Sequence, residues 1–337
     1  MTTLPAPRGP ISAYLLDALR DPVGSLPLLP VVALPDDPLT DEDLQLALYV
    51  AYELHYRGFT DVDDRWEWDP ALLGLRATLE RAFEDALRAT VPQPDPVAPR
   101  DTDAALRAIT EDGEDAPSLS KFIQREATAD QLRAFLVHRS AYQLKEADPH
   151  SWALPRLSGR PKAAMVEIQA DEYGGGRADR IHAELFARAL RATGLDDTYG
   201  AYLDVIPGVT LATVNLISLF GLHRRLRGAL VGHLAVFEMT SSVPNGRYAA
   251  GLRRLGFTSE DATAFFDEHV AADAVHESIA AVDLAGGLAV QQPELAADIL
   301  WGAAALVATD AAWSEHLLTA FAQDETALLD RAPVASA

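Results

Sequence analysis

Apolar residues recur three and four positions apart along most of this chain, and short polar, proline or glycine clusters interrupt the recurrence. The pattern predicts helices over 117–147, 158–173, 177–193, 208–225, 228–242, 245–255, 259–281 and 292–322. Breaks are expected at Pro149, Pro155, Gly174-Gly175-Gly176, Gly194, Pro207-Gly208, Pro244-Asn245-Gly246 and Gly256. Upstream, Thr40-Asp41-Glu42-Asp43 places a cap and an acidic first turn before an apolar helix. A second helix follows Asp69-Pro70 and runs to Pro92. No stretch alternates apolar and polar residues as a half-buried strand does, and no fixed-period repeat is present. These features predict an all-α protein built as an antiparallel bundle.

Residues 1 to about 40, which include Pro27, Pro30, Pro35 and Pro38, read as an irregular lead-in packed on the domain. The clearest linker is 92–104, with four prolines in its first eight positions. The expected organisation is an irregular lead-in with accessory helices over 1–105, a main domain over 106–325 and a tail over 326–337.

Composition narrows the function. Apolar residues make up 49% of the 337, with Ala and Leu dominant, which favours helix over sheet. The net charge of -22 repels phosphate backbones and anionic bilayers, so neither nucleic acid nor membrane is an expected partner. Without cysteine there is no disulfide, thiolate metal site or thiol nucleophile. The N-terminus lacks the basic-then-apolar layout of a signal peptide, and no uninterrupted apolar run approaches the ~20 residues of a membrane span. A soluble cytoplasmic protein is expected.

The most informative segment is FFDEHVAADAVHE, in which His269, Asp273 and His276 stand at i, i+4 and i+7. On a helix these steps rotate by ~40° and about −20°, so all three project from one face. Two imidazoles and a carboxylate there suit iron or manganese. Independent draws from this composition yield on the order of 0.03 such patterns, so chance is a poor account of it. One face cannot surround two cations, and further ligands must come from other helices. Glu172 and His182 would stand ~15 Å apart on a straight helix, but the glycine triplet between them lets the chain fold back. Asp179, one turn before His182, competes with Glu172 for that role. Glu238 lies among Leu234, Val236, Phe237 and Met239, where a lone carboxylate is costly unless paired or metal-bound. His233 points elsewhere and reads as structural or supporting.

Taken together, Glu172, His182, Glu238 and the His269-x3-Asp273-x2-His276 pattern resemble the haem-oxygenase-like dimetal oxidases, the iron-containing redox enzyme family. The resemblance covers roughly residues 130 to 320. It implies a haem-oxygenase-like seven-helix bundle, here with extra N-terminal helices, in which two iron ions replace haem. The six residues would hold the metals, with Glu172 and Glu238 as carboxylates engaged in the chemistry. It further implies dioxygen as co-substrate and oxidation of a small metabolite, an amino acid or a fatty acid. A free amino acid in a natural-product pathway is the leading expectation, with room for an external electron donor. Asp179, Glu184 and Glu277 are candidates to orient the imidazoles. Arg247, after the Pro-Asn-Gly break, is a candidate clamp for a substrate carboxylate, and Tyr142 and Tyr173 are candidate cavity walls. A homodimer through the N-terminal helices is expected. Three rivals stand beside this reading. One is a ferritin-like protein that binds or oxidises iron without an organic substrate. Another is a true haem oxygenase with His55 or His138 as axial ligand, and the third is a metal-free helical scaffold.

Overall fold

The computed structural model of the protein describes residues 2–24, 34–111 and 117–330; at Asp273 and Ala274 it describes the helical backbone but not the side chains. Pro27 and Pro30 therefore lie outside the described residues, as does the end of the C-terminal tail. The α-helices in chain order are α1 Pro10–Leu19, α2 Glu42–Glu53, α3 Pro70–Thr90, α4 Thr102–Thr110, α5 Leu119–Arg125, α6 Ala129–Gln143 and α7 Asp148–Ser151. They continue with α8 Gly159–Glu172, α9 His182–Ala192, α10 Gly208–Leu222, α11 Arg227–Arg254, α12 Glu260–Ser278, α13 Gly287–Gln291 and α14 Ala296–Phe321. Among the described residues the only β interaction is an isolated bridge between Thr2 and Phe59.

Local chemistry explains most boundaries. Asp41 caps α2 by accepting from the Asp43 and Leu44 amides, and Asp69 caps α3 through Ala71 and Leu72 with Pro70 in the first turn. The helix expected over 117–147 is two helices, because Thr128 and Gln131 form a reciprocal capping box that starts α6. Residues 10–19, expected to be irregular, form α1. Its N-terminal amides at Ile11 and Ser12 are satisfied from a distance by the buried Asp43 carboxylate of α2, at 2.7 Å each.

The largest departure is α11, which runs straight through Pro244-Asn245-Gly246 where a break was expected. An interior proline costs about 3 kcal/mol, but α11 packs along α12 and α14 on either side, and tertiary burial outweighs it. Gly232 and Gly302 bring the α11 and α14 backbones together: a Cβ on either would collide with the facing carbonyl, of Ile299 and of Ala229 respectively. Arg247 consequently lies within a helix rather than after a turn.

One large core joins Leu15, Leu16, Leu44 and Leu48 of the N-terminal helices to Leu211, Phe220, Leu230 and Trp301 of the bundle. A second core, with Phe135, Phe186, Phe265 and Trp313, ties α6, α9, α12 and the far end of α14 together. The segment Pro293–Phe321 is long and apolar enough to cross a membrane by length and composition alone, but 56% of its most apolar window is buried here, as in a core helix.

Candidate metal centre

Six side chains converge between the two cores: Glu146, Glu172, His182, Glu238, His269 and His276, all buried. They form two overlapping sets. Ligand-capable atoms of Glu146, Glu172, His182 and His269 all lie within 4.8 Å of one another, and so do those of Glu172, Glu238 and His276. Glu172 belongs to both.

Each arrives by a different local device. Glu172 is the last residue of α8 and His182 the first of α9. Between them Gly174, Gly175 and Gly176 all have positive φ, and a Cβ on Gly174 would lie 2.6 Å from the Arg180 carbonyl carbon. This reversal sets His182 Nδ1 2.9 Å from Glu172 Oε2, as the glycine triplet predicts. Glu238 projects from the middle of α11, and His269 and His276 from one face of α12. Directly after α12 the chain widens into a π-helix, Ile279–Gly286, a rare geometry that recurs at functional sites.

Glu146 is the residue that sequence reasoning missed. It sits in the turn between α6 and α7, and the next residue, Ala147, takes φ 71°, a left-handed conformation that a non-glycine residue adopts only under constraint.

The donor set fits divalent iron. Glu172 Oε2 and His182 Nδ1 are close yet not aligned as acceptor and donor, and both, with Glu146 Oε2, are buried without a hydrogen-bond partner among the described residues. Lone pairs that crowd one point without bonding one another suit a shared cation. His269 is already set for that role: its Nδ1–H donates to the Phe265 carbonyl at 2.7 Å, which leaves Nε2, 3.6 Å from Glu146, as the ligating lone pair. Three buried carboxylates side by side are costly without positive charge. In the metal-free protein the imidazoles supply it. Burial alone would raise Glu172, but the His182 charge with its neighbours His269 and His276 holds it below the usual carboxylate range. Burial likewise opposes protonation of His276, yet the hydrogen bond and charge of Glu238, with Glu172 and Asp171, push it up to about 9.

The family profile described as iron-containing redox enzyme matches residues 133–311, which span all six side chains. The chain belongs to the iron-containing redox enzyme family. No curated protein is significantly similar to it. Membership makes the chain an oxidoreductase, and the haem-oxygenase-like all-α architecture agrees with it. Within that family frame the buried Glu/His cluster fits iron binding.

Other expected residues fall elsewhere. Asp273 lies on α12, but its side chain is outside the described residues. Asp179 is exposed and pairs with Arg177, so Glu172 rather than Asp179 joins the cluster. The expected orienting roles of Asp179, Glu184 and Glu277 are overturned: Glu184 pairs with Arg191 and Glu277 with Arg107, both at the surface. The Phe265 carbonyl takes that role for His269, and Asp171, 3.2 Å from His276 Nε2, faces the other imidazole. Arg247 donates to Ser120 Oγ and lines neither cavity. Tyr173 donates to Asp148 and lines neither cavity, whereas Tyr142 lines the cavity at the cluster. His233 is fully buried against His150, Nδ1 to Nε2 at 3.2 Å. His55 is bound to Glu67 and His138 to Thr210.

Proposed function

We propose that the chain is a cytoplasmic, dioxygen-dependent non-haem diiron oxidoreductase that oxidises a small metabolite by desaturation, hydroxylation or C–C cleavage, with a free amino acid of a natural-product pathway as substrate. The observation that carries this reading is the pair of overlapping carboxylate–imidazole sets sharing Glu172. Glu146, His182 and His269 would hold one iron, Glu238 and His276 the other, with Asp273 on the same helix face, and Glu172 would serve both. When bound, the two ferrous ions supply the electrons and open coordination positions that dioxygen reduction requires. Dioxygen is the oxidant and a substrate C–H bond the reductant; an external donor supplies the remaining electrons where the substrate gives only two.

The chain's own residues do the rest. Leu234 and Phe237 wall the cavity above the carboxylates and exclude water. Burial, then the nearby Glu146 and Glu172 charges, raise Tyr142 well above its ordinary value, so it stays a neutral phenol. Its hydroxyl lies 3.5 Å from His150 Nδ1, and His150 Nε2 meets His233 Nδ1. That buried row holds the phenol in place at the cavity wall.

The test is to load metal-free protein anaerobically with ferrous iron, count bound iron and then admit oxygen with a panel of amino and fatty acids. Two irons per chain and oxygen uptake stimulated by one compound are expected. Iron oxidation with mineral growth and no stimulation by any compound would point to ferritin-like storage instead. A Soret band on haem addition, with no iron retained, would point to haem chemistry.

A further inference from the structure

Two cavities meet at Tyr142 and Phe237: one at the metal centre, which Gln169 also lines, and one beyond it, with His138 and Arg139 in its walls. Gln169 is the feature that needs an explanation. It projects from α8, one turn before Glu172, and is only 3% exposed. Burying an amide is costly unless its hydrogen bonds are made. The Gln169 oxygen makes none among the described residues, so the side chain is held by its nitrogen alone.

That nitrogen has two partners in the turn that carries Glu146. Nε2 donates to the Ala147 carbonyl at 2.9 Å and to Ser151 Oγ at 2.7 Å. Ser151 Oγ lies 2.9 Å from the Tyr173 hydroxyl, which donates in turn to Asp148 Oδ1 at 2.8 Å. A consistent direction runs from Gln169 to Ser151 to Tyr173 to Asp148, each hydroxyl accepting once and donating once. The network adjoins a ligand at both of its ends: Ala147 follows Glu146, and Tyr173 follows Glu172. Ala147 itself stands at φ 71°, a left-handed conformation that alanine disfavours. Something must hold it there, since a relaxed turn would aim the Glu146 carboxylate away from Glu172, His182 and His269.

We propose that Gln169, acting with Ser151, Tyr173 and Asp148, is the clamp that keeps Glu146 in ligating position. Gln169 is thus a positioning residue for the metal centre, and Tyr173, which walls neither cavity, acts through the same bonds. The inference rests on the reading of Glu146, His182 and His269 as an iron site, but the clamp itself is a property of the metal-free chain.

The experiment titrates the full metal-free chain with ferrous iron under nitrogen by calorimetry, and follows backbone hydrogen exchange before iron is added. Gln169→Met keeps the length of the side chain and removes both N–H donors. It should weaken by about 10–100-fold the iron-binding step that His182→Ala abolishes, and leave the other step as in the wild type. Exchange should quicken over residues 145–151 and not in α12 or α14. Tyr173→Phe should act in the same direction by a smaller factor. Adding Ala147→Gly to Gln169→Met should recover part of the affinity, because glycine takes the left-handed turn unaided; lost packing would not be repaired that way. Val166→Ala, on the exposed side of α8, should leave both steps unchanged. An unchanged affinity in Gln169→Met, equal losses at both steps, or no recovery with Ala147→Gly would overturn the clamp. A wild-type chain that takes up fewer than two irons sinks the diiron reading alone, and exchange over 145–151 then decides the clamp: no change in Gln169→Met overturns it.

Discussion

The two ligand sets that share Glu172 are built differently. In the first, Glu146, His182 and His269 come from three separate elements. Unpartnered lone pairs already face one another there, and the His269 ring is fixed by the Phe265 carbonyl. In the second, both nitrogens of His276 are engaged, by Glu238 at one side and by the half-exposed Asp171 at the other, each at 3.2 Å. A cation entering the first set meets groups already oriented. Either cation must displace an imidazole proton, from His182 or from His276, but only one entering the second must part a ring whose two nitrogens are both engaged. The first set should therefore bind iron more tightly, since ligand affinity follows deprotonation and preorganisation.

Removing the shared carboxylate tests this most severely. Glu172→Ala should abolish retention of both irons and cut oxygen uptake by more than about 100-fold, as read by metal analysis and an oxygen electrode; retention of one iron would show that the sets are independent. Next come the selective changes. Glu238→Gln should lower bound iron from two per chain to one, whereas His182→Ala should cost the tighter iron first; equal losses would erase the asymmetry.

The first set also leans on a fully buried ion pair from the N-terminal region. Lys145, next to Glu146, meets Glu53 at 3.0 Å, and the Tyr199 hydroxyl donates to the same carboxylate. Lys145→Met leaves that carboxylate without its cation and should cost about 3–5 kcal/mol in urea unfolding, with weaker iron binding at the first set only.

Acid should act on the histidines around the cavities. Burial holds His150 down to about 4 and, aided by His316, His138 down to about 3. Below pH 6.5 the unfolded chain takes up protons that these folded-state imidazoles refuse. The contribution of these two histidines should be flat above that value and fall by about 1.4 kcal/mol per pH unit per histidine as pH drops toward 4. That of His276, raised to about 9, is lost as pH rises from 6.5 through 9. Unfolding midpoints measured across pH check the slope. The smallest effect is expected at Asp179→Ala, within about 0.5 kcal/mol of wild type in stability and with iron retention intact. Loss of an iron there would restore Asp179 as a ligand.

Much of the site was legible in the chain because it is periodic or local. The spacing of His269 and His276 puts both on one helix face whatever surrounds them. Glu238 is conspicuous in an apolar stretch, and three consecutive glycines announce a reversal between Glu172 and His182. Glu146 was hidden because it lies in the turn just past α6 beside another charged residue, Lys145, and nothing local says that both side chains turn inward. The orienting groups escaped notice for a related reason: a backbone carbonyl such as that of Phe265 has no sequence signature at all.

What the sequence by itself determined is the all-helical class, the caps at Asp41 and Asp69, and the helix faces that carry the imidazoles. These depend on neighbours within a turn or two, where propensity and hydrogen bonding act directly. Tertiary structure alone decided that α11 passes through Pro244, that Glu146 joins the cluster, that Asp179 faces solvent, and that Arg139 rather than Arg247 lines a cavity. Each outcome turns on burial against elements distant along the chain, where packing energy exceeds local preference.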